Sequence, residues 1–170
     1  SMEYKEPFRL ENGDLKAVSM LNNEFGPVYQ EHFGGIKKAW KIIEVSSETQ
    51  RRKAVFVCDE DPVSYWLTEE GESAHFISLD LGKEQTIKGF AYTPQRDHAD
   101  GMLEKGIFRI SDDGNAWKDA ETFEFGNLIN DPTKRTHYFK NPVKTRYIRV
   151  EATSIAANGK VLSMAELDLF

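Results

Sequence analysis

From Trp40 to the end of the chain, short runs of alternating apolar and polar residues are separated by turn-forming glycine, proline and aspartate. The clearest run is 75–81, in which Ile77, Leu79 and Leu81 share one face at the two-residue period of a β-strand. A chain with this pattern and almost no helical periodicity is predicted to be all-β, folded as an antiparallel β-sandwich. Further strands are predicted at 86–93, 106–111, 138–139, 145–153 and 164–170.

The residues between the predicted strands carry recognisable turn chemistry. We expect Gly82 to end the first strand and Pro94 to end the second, because proline cannot donate to a strand ladder. Asp113-Gly114 predicts a tight turn, since these residues adopt positive φ at low cost. The last strand is expected to pair with an early strand, as the long returns of sandwich folds require.

Residues 1–38 lack the alternation that follows them. They predict a short helix or turn at 14–22 and then an extended connector, and we interpret the whole segment as a lead-in or linker. Ser1 stands before the first methionine and is interpreted as a remnant of cloning. We therefore expect the folded domain to span 39–170, which is long enough to bury a core without disulfides.

Charge and composition exclude several classes of partner. The net charge of -6 and the pI of about 5.3 disfavour nonspecific binding to nucleic acid or to anionic membranes. No stretch approaches the roughly 18 apolar residues of a membrane span, so we expect no membrane insertion. The single cysteine, Cys58, lies in an apolar run and is expected to be a small core residue rather than a nucleophile.

The sequence contains none of the common catalytic signatures. We find no nucleophile elbow, no zinc-protease helix motif, no phosphate-binding glycine loop and no paired-cysteine zinc spacing. His75 and His137 are expected at ordinary edge or surface positions, and Glu69, Glu70 and Glu72 in a solvated loop. We therefore expect this chain to be noncatalytic, with no catalytic residue.

An acidic turn, residues 59–66, precedes the first clear strand. Asp59, Asp61 and Ser64 offer the hard oxygen ligands that calcium prefers, together with nearby backbone carbonyls. A second contribution from Ala165 and Glu166 requires the last strand to return beside this turn. The alternative interpretation is an ordinary acidic turn before a strand.

Five segments resemble, in order, the motifs of the discoidin domain, the coagulation factor V/VIII type C domain. The resemblance runs from about residue 40 to residue 170. The five segments in this order identify the family more specifically than any one segment does. The segments are DEDPVSYW (59–66), like D-G-D-P-x-T-Y-W; ISLDLGK (77–83), like IDLGK; SDDGNAW (111–117), like S-D-D-G-x-x-W; TRYIRV (145–150), like A-R-Y-I-R-L; and AEL (165–167), like A-E-I.

The resemblance implies a jelly-roll β-sandwich of about eight strands, similar to the galactose-binding domains. The bacterial sugar-binding members form carbohydrate-binding module family 32, and the chain is also similar to domains appended to Bacteroides-type glycoside hydrolases, α-L-fucosidases among them. A secreted, periplasmic or cell-surface location in a bacterium follows from this resemblance.

The resemblance further implies one structural calcium ion. Carried over by position, Asp59, Asp61 and Ser64 would supply oxygens, partly through backbone carbonyls, with the carbonyl of Ala165 and the side chain of Glu166. Two positions depart from the family pattern: Glu60 stands where glycine is usual, and Ser64 replaces threonine but keeps the hydroxyl.

In the family, sugar binds to variable loops at one end of the sandwich. The corresponding loop is 93–101, where Arg96, His98 and Asp100 are the polar candidates for hydrogen bonds to sugar hydroxyls. Tyr92 is the candidate stacking ring. Asp100 stands where galactose-binding members carry asparagine, which leaves a galactose preference open. The alternative is a solvated loop in which Arg96 pairs with a neighbouring aspartate.

The other aromatic residues offer no free stacking ring in the sequence. Trp66 and Trp117 match structural tryptophans of the family and are expected in the core. Phe123 and Phe125 share one strand face and are expected to be buried.

Two functions are therefore weighed. The first is a noncatalytic carbohydrate-binding accessory domain, which would hold a larger glycoside hydrolase near a galactose- or fucose-containing glycan. The second is a structural domain that packs against the catalytic domain of the same parent chain, through the lead-in, without touching sugar. Lipid binding, known for some animal relatives, is disfavoured by the acidic charge balance.

Overall fold

The computed structural model describes residues 4–8, 13–22, 24–33, 37–96 and 101–170. Within these ranges the regular elements are strands and three short 3-10 helices, Lys37–Ala39, Ala54–Cys58 and Ala156–Asn158, so the all-β prediction is confirmed. None of these helices has the length and apolar character needed to cross a membrane. The strands are β1 (Gly13–Leu21), β2 (Glu24–Phe33), β3 (Lys41–Val45), β4 (Trp66–Leu67), β5 (His75–Thr93), β6 (Leu103–Ser111), β7 (Lys118–Glu124), β8 (Arg135–Ile155), β9 (Ser163–Met164) and β10 (Glu166–Leu169).

Two long antiparallel strands, β5 and β8, organise the sandwich. The first half of β5 pairs with β3 and with the second half of β8, which continues through β6 to β7. The second half of β5 pairs with the first half of β8 and, on its other side, with the closing strand β10. Each long strand therefore contributes to both layers, and the last strand lies beside an early one.

Gly82 bends β5 rather than ending it, so that prediction was wrong. The pairing of β5 with β8 shifts register between Asp80 and Gln85, and Gly82 has a φ of +80° in this interval. A Cβ on Gly82 would lie 3.0 Å from the Cβ of Ala39, so only glycine suits both the backbone and the packing. The predicted turn at Gly114 is present, with a φ of +78°.

The core lies between the two layers and is rich in aromatic rings. The ring of Phe90, from the second half of β5, lies 5.2 Å from that of Phe108 and 4.9 Å from that of Phe123, both from the other layer. Trp66 and Phe125 are also buried, as predicted. The prediction for Trp117 was wrong: it is half-buried on the outer sheet face, against the guanidinium of Arg149.

The expected helix or turn at 14–22 is a β-strand, because β1 and β2 form an antiparallel hairpin. Asn22 in the connection has a φ of +51°, which asparagine tolerates better than most residues. Apolar residues occur on both strands without a regular alternation. The exposed ones include Met20, Leu21, Phe25, Val28 and Tyr29. The two-residue period is therefore hidden in the sequence, since none of the described side chains of the hairpin is buried.

Candidate functional site

The acidic turn begins where the 3-10 helix Ala54–Cys58 ends. The Oδ1 of Asp59 accepts a hydrogen bond from the backbone N–H of Asp61 at 3.0 Å. The hydroxyl Oγ of Ser64 lies 2.7 Å from Oδ2 of Asp59 and 3.0 Å from the carbonyl oxygen of Asp61. The one hydroxyl hydrogen of Ser64 is shared between these two acceptor oxygens. The turn therefore has more acceptor oxygens than hydrogen-bond donors at this point.

Glu60 shows why glycine suits this turn. Its φ is +64°, in the left-handed region where a side chain costs about 1 kcal/mol or more. The side chain of Glu60 is exposed. The turn therefore keeps its backbone course despite the substitution, at the cost of local strain.

The closing segment brings Glu166 beside this turn. Met164 pairs with Trp66, and the backbone N–H of Ala165 donates to the carbonyl oxygen of Thr93 at 2.9 Å. Glu166 is only 6% exposed, and its carboxyl group lies within hydrogen-bonding reach of Asp59. Its Oε1 atom is buried without a hydrogen-bond partner.

The other carboxylate oxygen of Glu166 is paired with a buried lysine. Lys37, from the 3-10 helix Lys37–Ala39, forms salt bridges with Glu166 and with Asp168, the latter at 2.8 Å. Asp168 also pairs with Lys134 at 2.9 Å. The acidic turn and these charged side chains together form a connected charge network, which we call the acidic corner. In it Glu166 contacts the ammonium of Lys37 and lies close to a second carboxylate.

Burial dominates the acid–base properties of this corner. It raises the pKa of Glu166 to about 7, against the influence of Lys37 and with the neighbouring carboxylates of Asp168 and Asp59 adding to it. Burial alone would lower the pKa of Lys37, but the carboxylates of Asp168 and Glu166 outweigh it and raise that pKa above 10.5. Lys37 therefore stays charged, and Glu166 holds a proton more readily than an exposed glutamate does.

The oxygen donors of this corner are of the kind that calcium prefers. It includes the carboxylate of Asp59, the carbonyl of Asp61, the hydroxyl of Ser64 and the unpartnered oxygen of Glu166, all hard oxygens. One oxygen of the Asp61 carboxylate is already engaged, because Oδ1 accepts a hydrogen bond from the N–H of Val63 at 3.0 Å. Among the described residues no three His, Cys, Asp or Glu side chains converge, so neutral oxygens would have to complete the shell. The contribution of Ala165 stays a prediction.

The raised pKa of Glu166 predicts a distinctive pH dependence in calcium-free buffer. The folded state keeps a proton on Glu166 that the unfolded chain releases above its ordinary pKa of 4.5. This stabilising contribution is complete below about pH 4.5 and is lost as the pH rises through about 7. Urea denaturation in EGTA should show the free energy of unfolding of the wild type falling relative to that of Glu166→Gln over this range.

The comparison with Glu166→Gln is needed because other groups titrate nearby in pH. Burial lowers the pKa values of His75 and His137. Their contribution therefore has the opposite sign, because it makes the folded state more stable as the pH rises. These histidines contribute equally to both proteins and cancel in the difference. A difference that is constant from pH 5 to 8 would contradict the prediction.

The surroundings of Cys58 disfavour a nucleophilic role. Burial raises the pKa of the Cys58 thiol to about 12, so the nucleophilic thiolate is scarce at neutral pH. The side chain packs against the core, as predicted.

The predicted sugar loop is described only in part. Arg96 is exposed, whereas His98 and Asp100 lie outside the described residues. The proposed stacking role of Tyr92 was wrong: its ring is fully buried, and its hydroxyl donates to the carbonyl of Ser163 and accepts from the N–H of Leu103, each at 3.1 Å. Tyr92 therefore supports the loop from below and cannot stack on a ligand.

Both ends of the loop are fixed to the closing segment. Thr93 accepts the N–H of Ala165, and the carbonyl of Gly101 accepts the N–H of Ser163 at 2.6 Å. Ser163 and Ala165 belong to the short segment that ends at Glu166 and places it beside the acidic turn. The acidic corner and the predicted sugar loop are consequently positioned by one segment of chain.

A cleft of about 430 Å³ lies close to Gly101, the last residue of this loop. Its walls are residues 71–75 and 152–155, with Gly159 and Lys160. Gly159 borders the loop, since a Cβ on it would lie 3.3 Å from the backbone nitrogen of Gly101. Sequence reasoning missed this cleft, because it assigned Glu72 to a solvated loop and His75 to an ordinary edge position.

The cleft presents polar groups of several kinds. His75 is held by a 2.9 Å hydrogen bond between its Nδ1 and the hydroxyl of Thr68. Lys160 adds an ammonium, Glu72 a carboxylate and Ser154 a hydroxyl, the last hydrogen-bonded to Glu104 at 2.5 Å. Such a mixture of donors and acceptors suits a ligand covered with hydroxyl groups.

Comparison with known proteins places these features in context. The profile of the F5/8 type C domain matches residues 42–167. A sialidase from Micromonospora viridifaciens is 30% identical in an alignment 137 residues long, which covers 75% of this chain and 21% of the sialidase. The chain thus spans about a fifth of the length of that curated relative.

Solved structures show the same fold at lower identity. The domain CBM32-5 of a Clostridium perfringens protein, in complex with GalNAc-β-1,3-galactose, aligns with a TM-score of 0.69 and 24% identity, covering 79% of this chain and 97% of that one. The family 32 carbohydrate-binding module of NanJ from the same organism, in complex with galactose, aligns with a TM-score of 0.68 and 19% identity, covering 79% and 95%.

Proposed function

Because the chain belongs to the F5/8 type C, or discoidin, domain family, we propose that it is a noncatalytic carbohydrate-binding module of a larger bacterial glycoside hydrolase. The family match over 42–167 supports this, as do structural neighbours that bind galactose and GalNAc-β-1,3-galactose. The related sialidase supports a catalytic domain in the parent chain, and an α-L-fucosidase parent is our narrower suggestion. Such a module raises the local concentration of enzyme at its glycan.

The observation that carries the proposal is the cleft beside the sugar loop. Arg96 lies exposed at the start of the loop, and Gly101 at its end borders the cleft through Gly159. Arg96 and Lys160 can donate to sugar hydroxyls, while Glu72 can accept. We propose that a terminal galactose- or fucose-type sugar binds there, outside the bacterial cytoplasm, where the parent enzyme is secreted, periplasmic or held at the cell surface.

We also propose that the acidic corner binds one structural calcium ion. Asp59, the carbonyl of Asp61, Ser64, Glu166 and the carbonyl of Ala165 would hold it. The support is the unpartnered Oε1 of Glu166 and the excess of oxygen atoms around Ser64. The ion would supply positive charge to two adjacent carboxylates, and so fix the segment that holds both ends of the sugar loop.

Arg96→Ala tests the glycan site. Titration of the wild type with galactose, GalNAc-β-1,3-galactose and fucose should give dissociation constants on the order of 1 mM, since a shallow cleft buries little area. Arg96→Ala should weaken the best of these at least about 10-fold, because a charge-assisted hydrogen bond is lost. Isothermal titration calorimetry or NMR shift mapping measures both.

The matched control is Arg146→Ala. Arg146 is also exposed, but it pairs with Asp80, five residues along β5 from the His75 end that lines the cleft. Its loss should leave glycan affinity unchanged. If the wild-type protein binds none of the three sugars at 10 mM, the glycan proposal is refuted.

The N-terminal hairpin favours a second function, docking onto a neighbouring domain of the same polypeptide. Leu21 is 76% exposed and Phe25 is 72% exposed, and a two-stranded hairpin is marginal in water by itself. Apolar residues this exposed favour a surface that is covered by another domain. A chain that binds no sugar but protects 13–33 from hydrogen exchange when joined to its neighbour would support this function instead.

A further inference from the structure

Lys37 is buried where the proposed calcium ion would act. It is 8% exposed, although lysine is rarely buried unless it is paired. Its 3-10 helix is closed by a 2.8 Å hydrogen bond from the N–H of Trp40 to the carbonyl of Lys37. Ala39 of the same helix packs against the bend at Gly82, where no side chain intervenes. The backbone is thereby fixed so that the lysine side chain reaches the closing strand.

The ammonium group meets two carboxylates of that strand. It pairs with one oxygen of Glu166 and, at 2.8 Å, with Asp168. The side chains of Lys37 and Glu166 are 7% and 8% exposed, so water screens this pair only weakly. Because a buried carboxylate without a counter-charge is strongly destabilising, Lys37 stabilises the docked position of β10.

Glu166 divides its two oxygens between two neighbours. One is paired with Lys37, and the other, Oε1, is buried without a hydrogen-bond partner in a carboxyl group that lies close to Asp59. An ion bound to Oε1 would share this carboxylate with the ammonium. Two cations that share one carboxylate repel each other, and each reduces the negative potential that the other experiences.

We propose that Lys37 is a built-in cation that replaces part of the structural role of calcium in this domain, keeping the closing strand docked without the ion and weakening calcium binding. The inference rests on the calcium site proposed above. It goes further, because it assigns to a residue outside the acidic turn the control of both metal affinity and metal dependence.

The charge count around the corner supports a partial replacement. Asp59, Glu166 and Asp168 carry three negative charges when ionised, and Lys37 and Lys134 supply two positive ones. Lys134 is 43% exposed and is paired with Asp168, so its effect on Glu166 is indirect. Lys37 compensates the buried carboxylates directly and leaves Asp59, on the exposed side, for a metal ion.

Lys37→Met is the decisive variant, with Lys38→Met as its matched control. Methionine keeps the length and the apolar stem of the lysine but removes its charge, and Lys38 is an exposed lysine on the same 3-10 helix. Calorimetric titration with calcium chloride should give at least about 10-fold tighter binding for Lys37→Met and an unchanged affinity for Lys38→Met. Thermal denaturation in EGTA and in calcium should show a larger calcium-induced rise in Tm for Lys37→Met than for wild type.

Lys37→Gln separates charge from orientation. Glutamine can still donate hydrogen bonds to Glu166 and Asp168, so a lysine that only orients Glu166 would be replaced with little change in calcium affinity. We expect Lys37→Gln to tighten calcium binding as Lys37→Met does. It also provides a second readout if Lys37→Met does not fold in EGTA, and folding of Lys37→Met that requires calcium would itself support the proposal.

The outcomes distinguish this inference from the proposals on which it rests. Equal or weaker calcium affinity in Lys37→Met and Lys37→Gln would overturn the role of Lys37 alone. Absence of calcium binding in the wild type and in both variants would overturn the calcium site as well. Sugar titrations do not enter this comparison, so failure of the glycan proposal would be recognised separately.

Discussion

Glu166→Gln should abolish the calcium response of the domain while leaving it folded. The change removes one charged ligand, and even outer partners of a metal ligand contribute about 10- to 100-fold to affinity, so we expect calcium binding to weaken by at least about 100-fold. The folded state should persist in EGTA, because the glutamine amide can donate to Asp59 where Oε1 of Glu166 has no partner. Calcium titration calorimetry and thermal denaturation measure the two parts.

Glu60→Gln is the matched control for this prediction. Glu60 is an exposed carboxylate in the same acidic turn, so its neutralisation changes the local charge equally but removes no proposed ligand. It should reduce calcium affinity only slightly, by an amount that salt screens. Equal losses in the two variants would mean that the corner attracts cations through its general charge and has no defined site.

Gly106→Ala should strongly destabilise the sandwich. Gly106 lies in β6 between β7 and β8, and a Cβ there would overlap both the carbonyl oxygen of Glu151 and the ring of Phe123. A backbone atom of a paired central strand cannot move aside cheaply. We expect a loss of about 3 kcal/mol and a Tm lower by roughly 10 °C, measured by urea and thermal denaturation.

Gly126→Ala controls for the general cost of replacing glycine. Nothing lies within 4 Å of the position its Cβ would take, and its φ is not in the left-handed region. Its stability should change by less than about 0.5 kcal/mol, and reduced freedom of the unfolded chain favours a small gain. Similar losses at Gly106 and Gly126 would show that close packing around β6 is not what requires glycine.

The strands were predictable wherever one face is buried. Ile77 and Leu79 belong to the hydrophobic core, and the residue between them, Ser78, is polar. The two-residue period of β5 is therefore visible in the sequence. In the hairpin of β1 and β2 none of the described side chains is buried, and the period is lost. Gly82 was misread because a glycine can bend a strand as well as end it, and only the packing of Ala39 decides between the two.

The candidate sites were predictable to different degrees. Local motifs pointed to Asp59, Ser64 and Glu166, and pairing across the sandwich brings them together. Lys37 could not be found in this way, because it lies far away in sequence and carries no motif. The burial of Tyr92 also depends on tertiary structure, since its hydroxyl is satisfied by backbone groups of two distant segments.

The shared strands β5 and β8 have a consequence for how the molecule unfolds. Since each runs through both layers, neither layer can separate without breaking the hydrogen-bonded ladder of the other. The sandwich should therefore lose its structure in a single cooperative transition, in which thermal and chemical probes of either layer coincide. Its pairings also join residues far apart in the chain, which implies slow refolding, on a scale of milliseconds to seconds.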